Sequence, residues 1–158
     1  KIRMIANHGQ KVKYHHDMIG VNSRLDTLQA AVLLAKLKYL EDFTARRNQA
    51  ATHYDKHLSK SLLQIPFRSM NSTHVFHHYT CKVIKGSRDQ FQSYLSGKGI
   101  PTMIYYPVPL HHQKAYKKAG AEEFPVTEKL SKTVISLPIH TEMTPEELTY
   151  ICDVINSF

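Results

Sequence analysis

The sequence predicts an α/β chain, a few-stranded sheet with flanking helices preceded by one long helix. Three observations carry this. Leu33, Leu37, Leu40, Phe43, Ala50, Tyr54 and Leu58 are spaced by three, four or seven and so fall on one helical stripe. From His74 onward the pattern runs strand, helix, strand within about 30 residues, the order of a βαβ-type unit. Two further helices then enclose the short apolar run "VISLPIH".

Residues 1–24 form a lead-in of short polar and apolar pieces, and the long helix is expected over 25–58. Its first half, "AAVLLAKL", is apolar nearly all round, as in a helix buried on several sides. Its second half, "EDFTARRNQAATHYDKH", has a plain polar face. At about 1.5 Å per residue such a helix is about 50 Å long, more than this chain can cover, so it reads as a connector between domains. Residues 59–73, with Pro66 and several turn formers, read as a linker. Residues 74–158 read as a small domain. "HVFHHYTCKVI" is rich enough in β-branched and aromatic residues for a strand over 74–84. A turn at Gly86-Ser87, Phe91 and Leu95 on one face and a stop at Gly99 predict a helix. "IPTMIYYPVP" predicts a short strand entering a rigid loop at Pro107 and Pro109. Helices follow from Pro125 to about Thr133 and from Pro145 to Asn156, the second with Thr144 as N-cap and Pro145 in its first turn.

Composition narrows the class. The chain has 158 residues, 42% of them hydrophobic and 22% charged, as in one ordinary globular domain. No apolar run approaches the roughly 18 to 20 residues of a membrane-spanning helix, and the N-terminus lacks the apolar core of a signal peptide. The chain begins mid-pattern on Lys1, as a piece of something longer would. Cys81 and Cys152 stand in no metal-like spacing and read as buried thiols, consistent with a cytoplasmic protein. The net charge of +8 permits nucleic-acid, membrane-surface or anionic-metabolite partners without choosing among them. "HHQKAYKKAG" would serve phosphate contacts, so a basic nucleic-acid-binding or non-catalytic interaction domain is the alternative class. No nucleic-acid-binding motif accompanies that segment, and neither nucleic acid nor membrane is the expected partner. The 11 histidines include the pairs His15-His16, His77-His78 and His111-His112. Neighbours on a strand point to opposite faces, so such a pair cannot clamp one ion there, and no metal is expected. His53 and His57, four apart on the long helix, could bind a metal adventitiously.

The stretch "IGVNSRLDTLQAA" holds the densest local signal. Ser23 and Asp26, three apart before an apolar helical run, fit a capping box. That leaves Asn22 and Arg24. A helix N-terminus offers free N–H groups and a positive dipole end, so a further amide and a guanidinium beside it would suit a phosphate or carboxylate. The residues alone fit either reading.

The string "GVNSRLDTLQAA", with "TMIYYPVPLHHQKAY" and "SLPIH", resembles the C-terminal part of the DegT/DnrJ-type sugar aminotransferases, pyridoxal-phosphate enzymes of the fold-type I class. The resemblance runs from about Asn7 to the C-terminus. It implies the small C-terminal domain of that fold preceded by a long interdomain helix, with residues 1–24 as the tail of the large domain and a loop facing cofactor and substrate. By resemblance, Asn22 reaches the cofactor phosphate of the neighbouring subunit in a homodimer. Arg24 faces an anionic group of the substrate. Tyr105 and Tyr106 lie in the loop that in many relatives begins His-Tyr-Pro, so both are substrate-contact candidates, and Tyr105 replaces an imidazole with a phenol. The tyrosines also have a purely structural reading, since an aromatic before proline is held extended and packs on a sheet edge. The Schiff-base lysine of the family lies upstream of the matching segment, so this chain is expected to carry no catalytic residue, to hold no cofactor by itself and to be inactive alone. The implied reaction of the longer protein moves an amino group from glutamate to a nucleotide-linked keto sugar, for surface polysaccharide or related glycan synthesis. The motifs look most like the branch acting on UDP-linked 2-acetamido-3-keto-glucuronic acid.

Overall fold

The computed structural model describes residues 1–23, 25–116 and 123–158, which divide into two compact units, Lys1–Glu41 and Asp42–Phe158. In the first unit, helix α1 (Ile2–Ala6) is followed by a hairpin of β1 (Gln10–Val12) and β2 (His15–His16). The chain then returns along its own start. Val21 N–H donates to Ile5 O at 2.8 Å, Ser23 N–H to Ala6 O at 2.9 Å, and Asn22 pairs with Asn7 in an isolated antiparallel bridge. Two glycines permit this return. Gly9 has φ +75°, and a Cβ there would fall on Met18 O; a Cβ on Gly20 would fall on the Gly9 nitrogen and lie 2.6 Å from both His8 C and Ile5 O.

Helix α2 (Thr27–Leu37) starts four residues after Ser23. The capping box expected at Ser23 does not form, because the Ser23 backbone is engaged with Ala6. Asp26 is the N-cap, in extended geometry and without a side-chain capping bond. The single helix expected over 25–58 is also corrected. It is interrupted at Lys38 and Tyr39, and α3 (Leu40–His57) follows. The cause is local: Tyr39 N–H donates to Lys36 O, an i to i−3 bond that tightens the turn and breaks the i to i−4 ladder. Nor is the apolar half buried. Leu28, Leu34 and Leu37 are 78%, 69% and 62% exposed, and α2 has no buried residue.

The second unit is built on an antiparallel sheet of β3 (Leu63–Gln64), β4 (Tyr79–Val83) and β5 (Val134–Leu137), in the order β3-β4-β5. Tyr79, Cys81 and Val83 alternate inward against exposed Lys82, whereas all four residues of β5 are buried, as in a strand covered on both faces. Ser136 tolerates that position because its hydroxyl lies 2.8 Å from the Thr80 hydroxyl on the paired strand. Burial pushes the Cys81 and Cys152 thiols up to about 12 and about 11.

The strand expected over 74–84 begins only at Tyr79. Phe76 takes a positive φ of 47° and its N–H is held by the His74 ring at 2.9 Å, a turn that ends pairing upstream. The strand expected in "IPTMIYYPVP" reduces to a single bridge, Met103 to Ser136, on the far side of β5, since Pro101, Pro107 and Pro109 carry no N–H for a ladder. Met103 and β4 both run antiparallel to β5 and hence parallel to each other, so the expected crossover exists with β5 inserted between its strands.

The remaining helices start where their caps predict. Ser87 caps α4 (Arg88–Gly97), which buries Phe91 and Leu95. α5 spans Pro125–Thr133, and α6 (Pro145–Asn156) opens on a full capping box of Thr144 and Glu147. Ala50, Ala51 and Tyr54 of α3 are buried in the core of this unit. Tyr54 donates its hydroxyl to Pro138 O at 2.8 Å, and the Tyr79 hydroxyl donates to Asp55, which Arg68 neutralises at 2.6 Å. The Asn156 side chain closes the unit, donating to His57 O and accepting from Ser59 N–H, both at 2.8 Å.

Candidate functional site

The loop from Tyr105 to Gln113 leaves the sheet at Met103 and is stiffened by Pro107 and Pro109, whose carbonyl receives the His112 N–H at 3.0 Å to start a 3-10 turn, Leu110–His112. Opposite stands α5. Arg88 fixes the C-terminal end of α5 by donating to Ser131 O and Val134 O at 3.2 and 3.3 Å, a cation placed where helix carbonyls are unsatisfied. Loop and helix enclose a cleft of about 600 Å³, lined by Tyr105, Tyr106 and Leu110 from the loop and by Thr127, Leu130 and Ser131 from α5. An apolar cleft with a few hydroxyls is the usual make-up of a small-molecule site.

Both predicted tyrosines thus face one cavity. Tyr106 is 74% exposed and Tyr105 is 37% exposed. Tyr105 also rests on the His78 ring, with centroids 4.4 Å apart, and lines a second, smaller cleft with His78 and Met103. The sequence marks His78 only as half of the His77-His78 pair and not as a partner of Tyr105, from which it lies far along the chain in a segment that reads as strand. His78 places an imidazole beside the Tyr105 phenol.

Asn22 belongs to the first unit. It is exposed, its backbone is bridged to Asn7, and it lies shortly before the α2 N-terminus, where the Asp26 side chain makes no capping bond. Arg24 lies outside the described residues. At the outer edge of the cleft wall, His111 Nε2 lies 3.2 Å from Glu128 Oε1, and this contact with His111 holds the Glu128 carboxyl below the usual carboxylate range. Adjacent histidines point to opposite faces only on a strand. His111 and His112 sit on a 3-10 turn instead, with ring centroids 4.1 Å apart.

A family model described as the DegT/DnrJ/EryC1/StrS aminotransferase family matches residues 1–156. The chain belongs to this family. A dTDP-3-amino-3,6-dideoxy-alpha-D-galactopyranose transaminase of Aneurinibacillus thermoaerophilus is 38% identical over 158 residues, covering 100% of this chain and 43% of the relative. A UDP-2-acetamido-2-deoxy-3-oxo-D-glucuronate aminotransferase of Pseudomonas aeruginosa is 40% identical, covering 99% of this chain and 43% of the relative. Among solved structures, a family aminotransferase from Brucella abortus superposes with a TM-score of 0.87 at 36% identity, and DesV of S. venezuelae, in complex with a ketimine intermediate, with 0.86 at 32%. Each match covers 99% of this chain and 42% of the other. The α/β expectation holds, and the chain is a part of the aminotransferase fold, spanning less than half the length of these family members.

Proposed function

We propose that the chain is the C-terminal part of a pyridoxal-phosphate aminotransferase that moves an amino group from glutamate to the C3 ketone of a nucleotide-linked sugar. The observation that carries this is the shared reaction position among relatives of similar identity. The names of three of the relatives at 38–40% identity specify a 3-amino, a 3-dehydro and a 3-oxo sugar, although the nucleotide changes between dTDP and UDP; a fourth, at 39%, is named a pleiotropic regulatory protein. Glutamate as donor follows the resemblance, and a relative at 30% identity is named a glutamate aminotransferase. Within that class the motif string favours a UDP-linked 2-acetamido-3-keto-glucuronic acid.

The residues present fit one end of the cofactor. An exposed amide at Asn22, on a loop whose close return Gly9 and Gly20 permit and which leads into the α2 N-terminus, suits a phosphate. When bound, the cofactor supplies the electron sink through which the amino group passes. In the proposed homodimer Asn22 orients the phosphate of the neighbouring subunit, and Arg24 binds an anionic group of the substrate. Tyr106, the more exposed of the pair, contacts the sugar, while Tyr105 braces the cleft between its two sides and His78. The Schiff-base lysine belongs to the part of the family's length that this chain does not span. Residues 1–24 and 74–158 then act as the cofactor-facing and small-domain portions, joined through 25–58 and 59–73.

The test is transamination by the full-length protein, with glutamate, of UDP-linked 3-keto against TDP- or UDP-linked 4-keto sugars. Preference for the 3-keto, UDP-linked substrate is expected, and preference for a 4-keto sugar overturns the assignment. The 158-residue chain alone is expected to retain no cofactor absorbance after dialysis.

A further inference from the structure

His111, His112 and Glu128 converge although they come from two elements. One ligand atom from each lies within 4.8 Å of the others, and no other group of three His, Cys, Asp or Glu residues does so among the described residues. Glu128 Oε1 is 3.2 Å from His111 Nε2 and 3.7 Å from His112 Nε2. A tetrahedral ion with bonds of about 2.0–2.2 Å holds neighbouring ligand atoms about 3.4 Å apart, between those two distances, and side-chain rotation that draws in the two histidine nitrogens, within 4.8 Å of each other, closes the site. The three side chains are 15%, 53% and 29% exposed, which leaves one side open for a water ligand.

The backbone already holds the ligands. The 3-10 turn fixes the two rings 4.1 Å apart, and the His111 ring lies 5.0 Å from the Phe124 ring. Glu128 donates its backbone N–H to Phe124 O at 2.9 Å, so both sides of the cluster are anchored on one residue. Two imidazoles and a carboxylate with a fourth position open form the donor set of a three-ligand zinc site. Nickel and copper are accepted by the same chemistry with lower selectivity.

We propose that His111, His112 and Glu128 bind one zinc-type divalent ion that ties the 105–113 loop to α5. The consequence lies next door, because the same two elements form the walls of the Tyr105–Tyr106 cleft. An ion at this position fixes the separation of those walls from outside the cavity and touches no residue assigned to cofactor or substrate. The inference stands on the geometry of His111, His112 and Glu128 and does not need the aminotransferase reading.

The rival histidine pair is on α3. His53 and His57 have ring centroids 4.1 Å apart, but His57 Nδ1 is engaged with His53 O and His53 Nε2 is buried without a partner. The test is calorimetric titration of zinc chloride into the untagged chain, its His112→Ala and Glu128→Gln variants, and a His53→Ala/His57→Ala double variant. His112 is half exposed, so His112→Ala is expected to melt with the wild type when no zinc is present. One zinc per wild-type chain is expected, weakened at least about tenfold by His112→Ala and by Glu128→Gln. Zinc should raise the melting temperature of the wild type and of the α3 variant, and not that of His112→Ala. No binding by the wild type, equal binding by His112→Ala, or binding lost only in the α3 variant overturns the site and leaves a plain histidine–carboxylate pair.

Discussion

Gly20→Ala is the substitution with the most local consequence. The added methyl would fall on the Gly9 nitrogen and lie 2.6 Å from His8 C and Ile5 O, all backbone atoms that no rotamer change can remove. The chain must therefore separate the 20–23 return from α1, breaking the bonds from Val21 to Ile5 and from Ser23 to Ala6. Forcing a methyl into a filled site costs about 1–3 kcal/mol, which is about a 5- to 150-fold rise in the open population of that return. Amide hydrogen exchange reads this directly. Exchange at Val21 and Ser23 should accelerate by that factor, while amides of β4 in the other unit keep their protection. In the full-length protein the same change displaces Asn22, so cofactor affinity should fall with it. Gly97→Ala is the control, because a Cβ there meets nothing within 4 Å and its helical backbone is ordinary, so it should be neutral or stabilise by about 0.5–1 kcal/mol. Unchanged exchange at Val21 and Ser23 in Gly20→Ala would refute the reasoning.

Thr144→Ala removes the hydroxyl that accepts from Glu147 N–H and leaves the other half of the α6 capping box, residue 144 N–H donating to the Glu147 carboxylate, in place; urea unfolding should show a loss of about 1 kcal/mol with an unchanged m-value. His53 titrates below its usual value, chiefly because burial disfavours the charged ring and then because His57 and Lys56 lie nearby. The unfolded chain therefore takes up this proton first, and stability should decline as pH falls below about 6.5, the ordinary histidine value. In His53→Leu that decline should be smaller in denaturant melts between pH 7 and pH 5, and an unchanged pH profile would contradict the assignment.

Legibility from sequence followed how local each determinant is. The starts of α4, α5 and α6 were readable because Ser87, Pro125 and Thr144 act within one turn of themselves. The break at Lys38–Tyr39 was not, since neither residue is a helix breaker and the interruption is a change of hydrogen-bond partner. The exposed face of α2 misled for a related reason: an apolar pattern reports that a surface needs covering, not which chain covers it. Strand 74–78 failed at Phe76, a residue with no sequence preference for the positive φ it adopts. At the site, Tyr105 and Tyr106 were marked by the family motif. The contacts of His78 with Tyr105 and of Glu128 with His111 were not legible, because each is a tertiary approach; His111 and Glu128 stand 17 residues apart and meet only once α5 is docked.

The placement of β5 bears on how the second unit is synthesised. Its fully buried strand follows the other two in translation: Ser136 pairs with Thr80, Tyr54 waits 84 residues for Pro138, and His57 waits 99 for Asn156. A nascent chain emerging as far as α5 holds β3 and β4 with an open edge and an apolar face lacking its cover. Such long-range closure is slow by nature, and the unit completes its fold only as its last helix leaves the ribosome.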